Sequence, residues 1–398
     1  MRRARAPARM GHAPPLANRD GGFRARLSSA FDESAYRSEA ARSNADPIPR
    51  PLAISLRVPS IPPRSRQREG YVERLVREIE LVARLFDRDR DVVALHFCDG
   101  TDAAPQAREI EALMGSLERH FHFAPPSRRD FSIRVEPQAL QAGDLAACVA
   151  LGFQCADIDA RAGNLTATLH AVELARQQGM RSACVEWPLA GSQPPAELLD
   201  ARPDRLAFFL PGHAPDLATL EPLATALAGA GYTDIGLDPR LLPWIDPAGG
   251  AQLAGVARAG RCLKPDQDVD LIGIGAGAVS RIRDSVCQNH PDLATWEATL
   301  DLAGLPVWRG VTLDTAERRR MAVVGELLGT GGIAIEAFER RHAVAFGEQF
   351  AGEMAALEAL PAGLCIRTSH GIQATSQGRL MLRIMAACFD NPGRRPLP

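Results

Sequence analysis

The chain has 398 residues, of which 46% are hydrophobic, and a formal net charge of −2 at pH 7. This length exceeds one ordinary hydrophobic core and predicts a large α/β domain accompanied by a smaller one. The small net charge argues against a nucleic-acid-binding or membrane-surface protein, and no apolar run reaches the roughly 18 residues that a membrane-spanning helix needs.

Two features of the sequence bear on where the protein resides. The first 26 residues contain seven Arg and a single acidic residue, Asp20, a composition that superficially resembles a transit peptide. We predict instead a disordered Arg/Pro-rich tail over residues 1–30. The eight cysteines are scattered and include no C-x-x-C pair. This pattern is typical of reduced thiols, so we expect a cytoplasmic protein.

The segment from Ile54 to about Asp238 alternates between apolar strand-like runs and helical periods. The strand-like runs are LAISLRV, VVALHF, FSIRV, SACVEW, RLAFFL and DIGLD. The helical segments between them are predicted at residues 71–86, 106–120, 138–151 and 165–178. Gly152, Gly179 and Gly231 follow three of the helices, as C-terminal caps do. Repeated strand–loop–helix units predict parallel strands, in a doubly wound sheet or a barrel.

The character of the sequence changes after VDLIGIGAGAVS. From about Gly310 onward it predicts helices, then two short strands that meet at a turn near His370–Gly371, and a final helix. A module of roughly 80 residues is a normal small domain. We therefore predict a (β/α) domain at residues 31–308 and a helical, winged-helix-like domain at residues 309–392.

Ten stretches along the chain carry a family resemblance. They run from about Phe31 to Asp390 and include SNADPIPRPLAISLRVP, LMGSLERHFHFAP, RPDRLAFF, VDLIGIGAGAVSRIRDSVCQN and GIQATSQGRLMLRIMAACFD. In this order they resemble the oxygen-independent coproporphyrinogen III oxidase (dehydrogenase) family of radical S-adenosylmethionine enzymes. The resemblance implies an α/β fold: a partial (β/α) barrel of radical-SAM type with a small C-terminal helical domain. The family activity is the oxidative decarboxylation of coproporphyrinogen III to protoporphyrinogen IX.

In that family, a loop after the first barrel strand carries C-x-x-x-C-x-x-C, whose three thiolates hold a [4Fe–4S] cluster. With Val58–Pro59 aligned, the corresponding positions in this chain are Ile61, Ser65 and Arg68. None of them can replace a thiolate, because Ile has no lone pair, Ser is hard and protonated, and Arg is cationic. The resemblance therefore implies a degenerate member that lacks the cluster cysteines.

The positions that correspond to the family's S-adenosylmethionine pocket are changed as well. They are Cys98, Asp99, Gly100, Thr101, Arg134, Glu186, Gly273 and Gly275. Side chains at Cys98 and Asp99 stand in place of two glycines and would obstruct a close backbone approach. Arg134 reverses the charge of an expected glutamate, and Glu186 stands where the family has an aspartate. We therefore predict no bound cluster, S-adenosylmethionine or metal ion, and assign no catalytic residue.

Other polar residues are weaker candidates for a site. His96-x-Cys98, at a strand end, could be a metal or heme ligand pair, but a buried His and a small apolar Cys explain it better. The acidic candidates are Asp157, Asp159 and Glu186; their pattern alone is weak support for a site. Cys148 and Cys155 lie on different predicted elements, so a metal site there is not expected. GIGAGA (residues 273–278) resembles a phosphate loop, yet we interpret it as a packed turn at the barrel end.

An emptied cofactor pocket has to be filled, because protein interiors are closely packed. The side chains expected to close it in part are Ile61, Cys98, Arg134 and Trp187. An unpaired buried charge is costly, so Arg134 is expected to pair with Glu186 or Asp99. If the tetrapyrrole side of the cavity stays open, porphyrin propionates would find arginines such as Arg57 or Arg161.

Three functional hypotheses remain open. The leading one is a catalytically inactive homologue with a tetrapyrrole-related binding or regulatory role in heme biosynthesis, whose partner is a porphyrin, heme or an active paralogue. The second is an active coproporphyrinogen III dehydrogenase, which would need other cluster ligands. The third is a non-catalytic protein-interaction scaffold. Arg367, Arg379 and Arg383 form only a thin basic face, so we expect no nucleic-acid partner, and we expect no membrane partner.

Overall fold

The computed structural model describes residues 27–59, 61, 65–97, 106–189, 194–209, 217–234, 241–245, 269–368 and 370–390. Its strands are β1 Leu52–Leu56, β2 Asp91–Phe97, β3 His122–Phe123, β4 Asp130–Val135, β5 Cys155–Asp159, β6 Ser182–Pro188, β7 Arg205–Phe209, β8 Thr233–Asp234, β9 Leu241–Ile245, β10 Asp270–Ile274, β11 Val279–Ile282, β12 Ser285–Asn289, β13 Val307–Thr312, β14 Gly332–Ala334, β15 Cys365–Arg367 and β16 Gly371–Ala374. Its helices are α1 Glu33–Asn44, α2 Arg66–Ala83, α3 Ala107–His120, α4 Ala142–Ala150, α5 Leu165–Gln177, α6 Ala196–Asp200, α7 Leu217–Gly229, α8 Leu293–Asp301, α9 Thr315–Thr330, α10 Ile335–His342, α11 Phe346–Gln349, α12 Ala351–Glu358, α13 Ser376–Leu380 and α14 Leu382–Asp390. Within these ranges no helix combines the length and the apolar character that crossing a bilayer requires.

Thirteen strands form one large sheet, in the order β13-β12-β11-β10-β1-β2-β4-β5-β6-β7-β9-β8, with β3 paired to β2. The seven strands from β10 through β7 run parallel. VVALHF in β2 and FSIRV in β4 are parallel neighbours, as predicted. Within the described part of the chain the two end strands of this order do not pair with each other. The predicted α/β class with a partial barrel of parallel strands is confirmed.

The parallel strands separate two kinds of side chain onto two faces, because successive residues of a strand point to opposite sides. One face carries buried apolar residues, including Ile54, Leu95, Ile133, Ile158 and Val185. The other face carries polar residues that are also buried. Side chains of β2 and β5 contact each other across this face although β4 lies between the two strands. The polar face is therefore concave, and it forms the inside of the partial barrel.

Glycine caps end three of the helices that cover the sheet. Gly152, Gly179 and Gly231 have φ values of 90°, 81° and 87°, in the left-handed region that favours glycine. This agrees with the sequence prediction. The start of α2 was predicted at residue 71 but lies at Arg66, because the side chain of Ser65 caps the helix by accepting a hydrogen bond from the backbone N–H of Arg68.

The C-terminal part contains a second sheet of three antiparallel strands, in the order β14-β16-β15. Strands β15 and β16 pair on either side of the predicted turn near residues 370–371. Strand β13 pairs with β12 of the large sheet, so the expected domain boundary at residue 308 falls inside a strand. Hydrogen bonds from Arg379 Nε to Asp234 (2.5 Å) and from Gln377 to Glu221 (2.8 Å) join this part to the barrel.

The glycine-rich turn after β10 is held in place by helix α2. The backbone N–H of Gly275 donates to Glu78 Oε2 at 2.9 Å, and the N–H of Ala276 donates to the hydroxyl of Tyr71 at 3.0 Å. A Cβ atom at Gly273 would lie 2.3 Å from a carbonyl oxygen of the next strand. The amides of this turn that a phosphate would use are bonded within the protein. GIGAGA is therefore a packed turn, as the sequence indicated.

Glu78 is fully buried under this turn. Its carboxyl also accepts hydrogen bonds from Asn289 Nδ2 at 2.6 Å and from Trp296 Nε1 at 3.0 Å. Burial nevertheless raises the pKa of Glu78 from 4.5 to about 7. The folded state therefore holds a proton, between these two pH values, that the unfolded state has released.

We predict that the unfolding free energy falls as pH rises from about 4.5 to about 7, with Glu78 contributing up to about 3 kcal/mol of this fall. Glu78→Gln cannot ionise and should remove this part of the slope, which denaturant unfolding at a series of pH values measures. Glu80→Gln, at a partly exposed position of the same helix, should keep the wild-type slope. Equal slopes in both variants would contradict the assignment.

Candidate functional site

The loop between β1 and α2 is where the sequence resemblance places three cluster ligands. Of the three positions, Ile61 is buried in the hydrophobic core and Ser65 caps helix α2. Residues 60 and 62–64 of the loop lie outside the described residues. Both Ile61 and Ser65 therefore have a structural role: Ile61 removes apolar surface from water, and Ser65 satisfies a backbone donor at the helix start.

Arg68, at the third of these positions, forms a buried ion pair that joins two helices. Its Nε and Nη2 atoms donate to Oε1 and Oε2 of Glu109, on α3, at 2.9 and 2.8 Å. The two side chains are only 1% and 5% exposed. Glu109 Oε2 also accepts from the backbone N–H of Gln106 at 2.8 Å, closing a capping box at the start of α3. A bidentate pair of this kind is strong and geometrically specific.

These three residues do not fit an iron–sulfur cluster. Cluster iron is held by anionic sulfur, whereas Ile61 offers no donor atom, the Ser65 hydroxyl is bonded to the backbone, and Arg68 is a cation already paired with a carboxylate. Among the described residues, the free cysteines lie on other elements. The chemistry of the donor set is therefore wrong for the family's cofactor.

The concave face of the sheet is lined by buried polar and charged side chains. They are His96 on β2, Ser132 and Arg134 on β4, Cys155, Asp157 and Asp159 on β5, Ser182, Cys184 and Glu186 on β6, and Arg205 on β7. All are buried except Asp159, which is partly exposed. Buried charges must be paired to be tolerated, and here they form layers across the barrel.

The upper layer, at the carboxyl ends of the strands, is centred on Arg134. Arg134 pairs with Glu186 at 3.3 Å, as predicted, and also with Asp159. Arg161 lies beside them and donates to both carboxylate oxygens of Asp159, at 2.7 and 2.9 Å. Burial alone would raise the pKa of Asp159, but the hydrogen bond from Arg161 and the charge of Arg134 outweigh it and hold the pKa at about 2.

The middle layer contains His96 and Asp157. His96 Nδ1 lies 2.6 Å from the hydroxyl of Ser132 and 3.6 Å from Asp157 Oδ2. Arg205 donates to Asp157 Oδ1 at 3.4 Å. His96 is thus the buried strand-end histidine that the sequence favoured, although it belongs to a charged layer of the barrel interior.

Two cysteines of the barrel interior, Cys155 and Cys184, are in contact, which was not expected from the sequence. Cys155 Sγ is 3.5 Å from Cys184 Sγ, and both thiols are buried. The hydrogen bond to Cys184, followed by burial, raises the pKa of the Cys155 thiol well above its usual value. From the sequence, Cys155 was considered only as a partner of Cys148. The contact with Cys184 could have been predicted, because the two cysteines lie on neighbouring strands and their side chains point to the same face of the sheet.

Trp187 lies on the face of the sheet opposite to the pocket that it was expected to close in part. It alternates with Glu186 on β6 and packs in the hydrophobic core. The expectation for Trp187 is wrong, because side-chain direction along a strand has a period of two. The remaining pocket positions Cys98, Asp99, Gly100 and Thr101 lie outside the described residues.

A surface cleft opens beside the upper layer, at the carboxyl ends of β4, β5 and β6. It has a volume of about 440 Å³ and is lined by Glu136, Gln138, Asp159, Arg161, Ala162 and Pro188. This volume falls in the usual range of small-molecule sites. Arg161 lies in the cleft, whereas Arg57, the other arginine considered for propionates, donates to the carbonyl oxygen of Gly277 at 3.0 Å.

Comparison with known proteins agrees with this architecture. No protein-family model matches the chain. The oxygen-independent coproporphyrinogen III oxidase of Pseudomonas aeruginosa is 29% identical over 360 residues, covering 80% of this chain and 78% of that protein. The Salmonella typhimurium enzyme of the same name is 29% identical over 363 residues, covering 81% and 79%. The solved coproporphyrinogen III oxidase of Escherichia coli, a radical SAM enzyme, superposes with a TM-score of 0.78 at 24% identity, covering 92% of this chain and 95% of that one.

Breaking the buried Arg68–Glu109 pair should be strongly destabilising. Arg68→Ala leaves the Glu109 carboxylate buried without its counter-charge and should lower the unfolding free energy by about 3–5 kcal/mol. Arg108 and Glu69 pair at 3.3 Å between the same two helices, but both are more than half exposed. Arg108→Ala should therefore change the unfolding free energy by less than about 1 kcal/mol. Denaturant unfolding measures both, and similar losses in the two variants would contradict this ranking.

Proposed function

We propose that this chain, which is similar over most of its length to oxygen-independent coproporphyrinogen III oxidases, is a member of that family without the family's radical chemistry. In this proposal the barrel is kept as a binding fold for a porphyrin-type ligand, with a binding or regulatory role in heme biosynthesis. The observation that carries the proposal is the buried Arg68–Glu109 pair, which stands where the resemblance places a cluster thiolate.

The contacts made by the β1–α2 loop and Arg68 support the proposed loss of the cluster more strongly than the substitutions alone. An iron ion bound at this loop would meet the Arg68 guanidinium, whose charge is fixed at any working pH. Moving Arg68 aside would leave Glu109 unpaired in the interior and would remove a link between α2 and α3. Since breaking a buried pair is strongly destabilising, the present loop favours its structural role over cluster binding.

The carboxyl ends of the strands support a site that differs from the family's and has a cleft beside it. Arg134, paired with Glu186 and Asp159, fills the upper layer where the resemblance places cofactor contacts. The cleft next to this layer is of small-molecule size, and Arg161 is its cation. Porphyrins of the coproporphyrin type carry propionates, which a guanidinium binds with two parallel hydrogen bonds. Such a ligand would have to share Arg161 with Asp159.

A non-catalytic scaffold that contacts an active paralogue or another protein is the second candidate. The observation that favours it is the charge of the cleft, where Arg161 is the one cation among the described lining residues and lies beside Glu136 and Asp159. Two carboxylates at the rim oppose the binding of a ligand with several carboxylates. A scaffold role requires only the fold and its surfaces and does not require an open cavity.

The first prediction from this proposal concerns iron. After anaerobic reconstitution with iron and sulfide, the protein should hold far less than one cluster per chain, because the loop offers no thiolate. The Pseudomonas aeruginosa relative, treated identically, serves as the control for the reconstitution procedure. About four irons and four sulfides per chain, with the broad visible absorption of a cluster, would overturn the proposed loss of cluster chemistry.

The second prediction concerns the ligand. Titration of coproporphyrin III and of heme, followed by absorbance or fluorescence, should show saturable binding with a Kd of tens of micromolar or below, which corresponds to at least about 6 kcal/mol. Arg161→Ala should weaken binding about 10- to 150-fold, because a charge-assisted hydrogen bond contributes about 1.5–3 kcal/mol.

The control for this titration is Arg128→Ala. Arg128 pairs with Asp91 and precedes β4, at the amino ends of the strands and away from the cleft. The Arg128→Ala variant should bind both tetrapyrroles as the wild type does. Absence of saturable binding by either tetrapyrrole would reject the binding role and leave the scaffold, without changing the result expected for iron.

A further inference from the structure

We infer that Cys155, Cys184 and Asp157 form a binding site for one soft divalent metal ion of the zinc type, inside the barrel. The sulfur atoms of the two cysteines and a carboxylate oxygen of Asp157 all lie within 4.8 Å of one another, and all three residues are buried. This site is distinct from the lost cluster loop and does not depend on porphyrin binding.

The spacing of the two sulfur atoms suits a shared metal ion. A tetrahedral zinc ion with bonds of about 2.3 Å to sulfur places two thiolates about 3.8 Å apart. The two Sγ atoms lie 3.5 Å apart without any ion. Small rotations of the cysteine side chains are enough to reach the coordinated distance.

Strand register produces this arrangement. Cys184 on β6 stands directly opposite Asp157 on β5, and Cys155 precedes Asp157 by two residues on the same face. Cys155 itself is opposite Ser182, so the two cysteines are diagonal neighbours. Their Cα atoms are then about 8 Å apart, from a strand spacing of about 4.8 Å and a rise of about 3.3 Å per residue. That separation exceeds the limit of about 7 Å for a disulfide, and a metal ion bridges it more readily.

The charges of the barrel interior also suit a divalent ion. Binding of the ion releases the protons of the two thiols to solvent. The resulting thiolates and the Asp157 carboxylate carry three negative charges, of which a divalent ion neutralises two. The guanidinium of Arg205, 3.4 Å from Asp157 Oδ1, balances the remaining charge. The charges of the ion, its three ligands and Arg205 therefore sum to zero, which suits a buried site. Three protein ligands leave one tetrahedral position for a water molecule.

Cobalt(II) titration of the full-length, tag-free, reduced protein tests the inference. After treatment with a chelator, we expect one Co²⁺ per chain, with near-ultraviolet thiolate-to-cobalt charge transfer, and displacement of the cobalt by Zn²⁺. Cys155→Ser and Cys184→Ser should each lose intensity in this band and weaken binding at least tenfold. Cys148→Ser removes a buried thiol on α4, away from this group of ligands, and should match the wild type.

Two results would overturn the inference. One is absence of stoichiometric cobalt binding by the folded wild-type protein, and the other is a charge-transfer band that persists in the folded Cys155→Ser and Cys184→Ser variants. If these variants do not fold, X-ray absorption of the zinc-loaded wild type decides instead. Two sulfur neighbours at about 2.3 Å would support the site, and a first shell without sulfur would reject it.

Discussion

A buried arginine needs a counter-charge, and the Glu109 carboxylate supplies it for Arg68. Arg68 lies at a position where the sequence resemblance places a cluster ligand. The pair joins α2 to α3, and Glu109 also caps α3. Because α2 carries Glu78, which holds the turn after β10, this ion pair connects the β1–α2 loop to the frame of the barrel. Buried pairs are poor sources of net stability relative to apolar residues, yet removing one partner is costly. Replacement of Arg68 by cysteine would therefore leave Glu109 buried without its counter-charge.

The two faces of the parallel strands separate the residues that hold the fold together from those that line the site. Residues such as Ile133 and Val185 point to the apolar face, whereas their neighbours Arg134 and Glu186 point into the barrel. Substitutions on the inner face alter charge and space for ligands but leave the packing of helices against the sheet intact. The buried charges of the inner face do not destabilise the fold strongly, because they are paired with opposite charges within each layer. A likeness in fold to the solved Escherichia coli enzyme over 92% of this chain is thus compatible with a different set of side chains on the inner face.

Local patterns in the sequence predicted much of this architecture. The alternation of strands and helices, the glycine caps at Gly152 and Gly179, and the packed turn at GIGAGA all follow from short-range chemistry. The Arg134–Glu186 pair was also predictable, since a reversed charge needs a partner. Glu109 as the partner of Arg68 was not, because the contact joins residues 41 apart on two helices. The Cys155–Cys184 contact depends on strand register, and strand Val307–Thr312 crosses the expected boundary because its partner lies in the other part of the chain.

The central claim is that this protein does not carry out radical chemistry, and its most direct test is the reductive cleavage of S-adenosylmethionine. The protein, reconstituted anaerobically with iron and sulfide, is incubated with S-adenosylmethionine and a strong reductant, and 5′-deoxyadenosine is measured by chromatography. The Pseudomonas aeruginosa relative, named as an oxygen-independent coproporphyrinogen III oxidase, is run beside it. We expect 5′-deoxyadenosine no higher than in a control without protein. Formation of 5′-deoxyadenosine above that control, in proportion to the protein added, would contradict the claim.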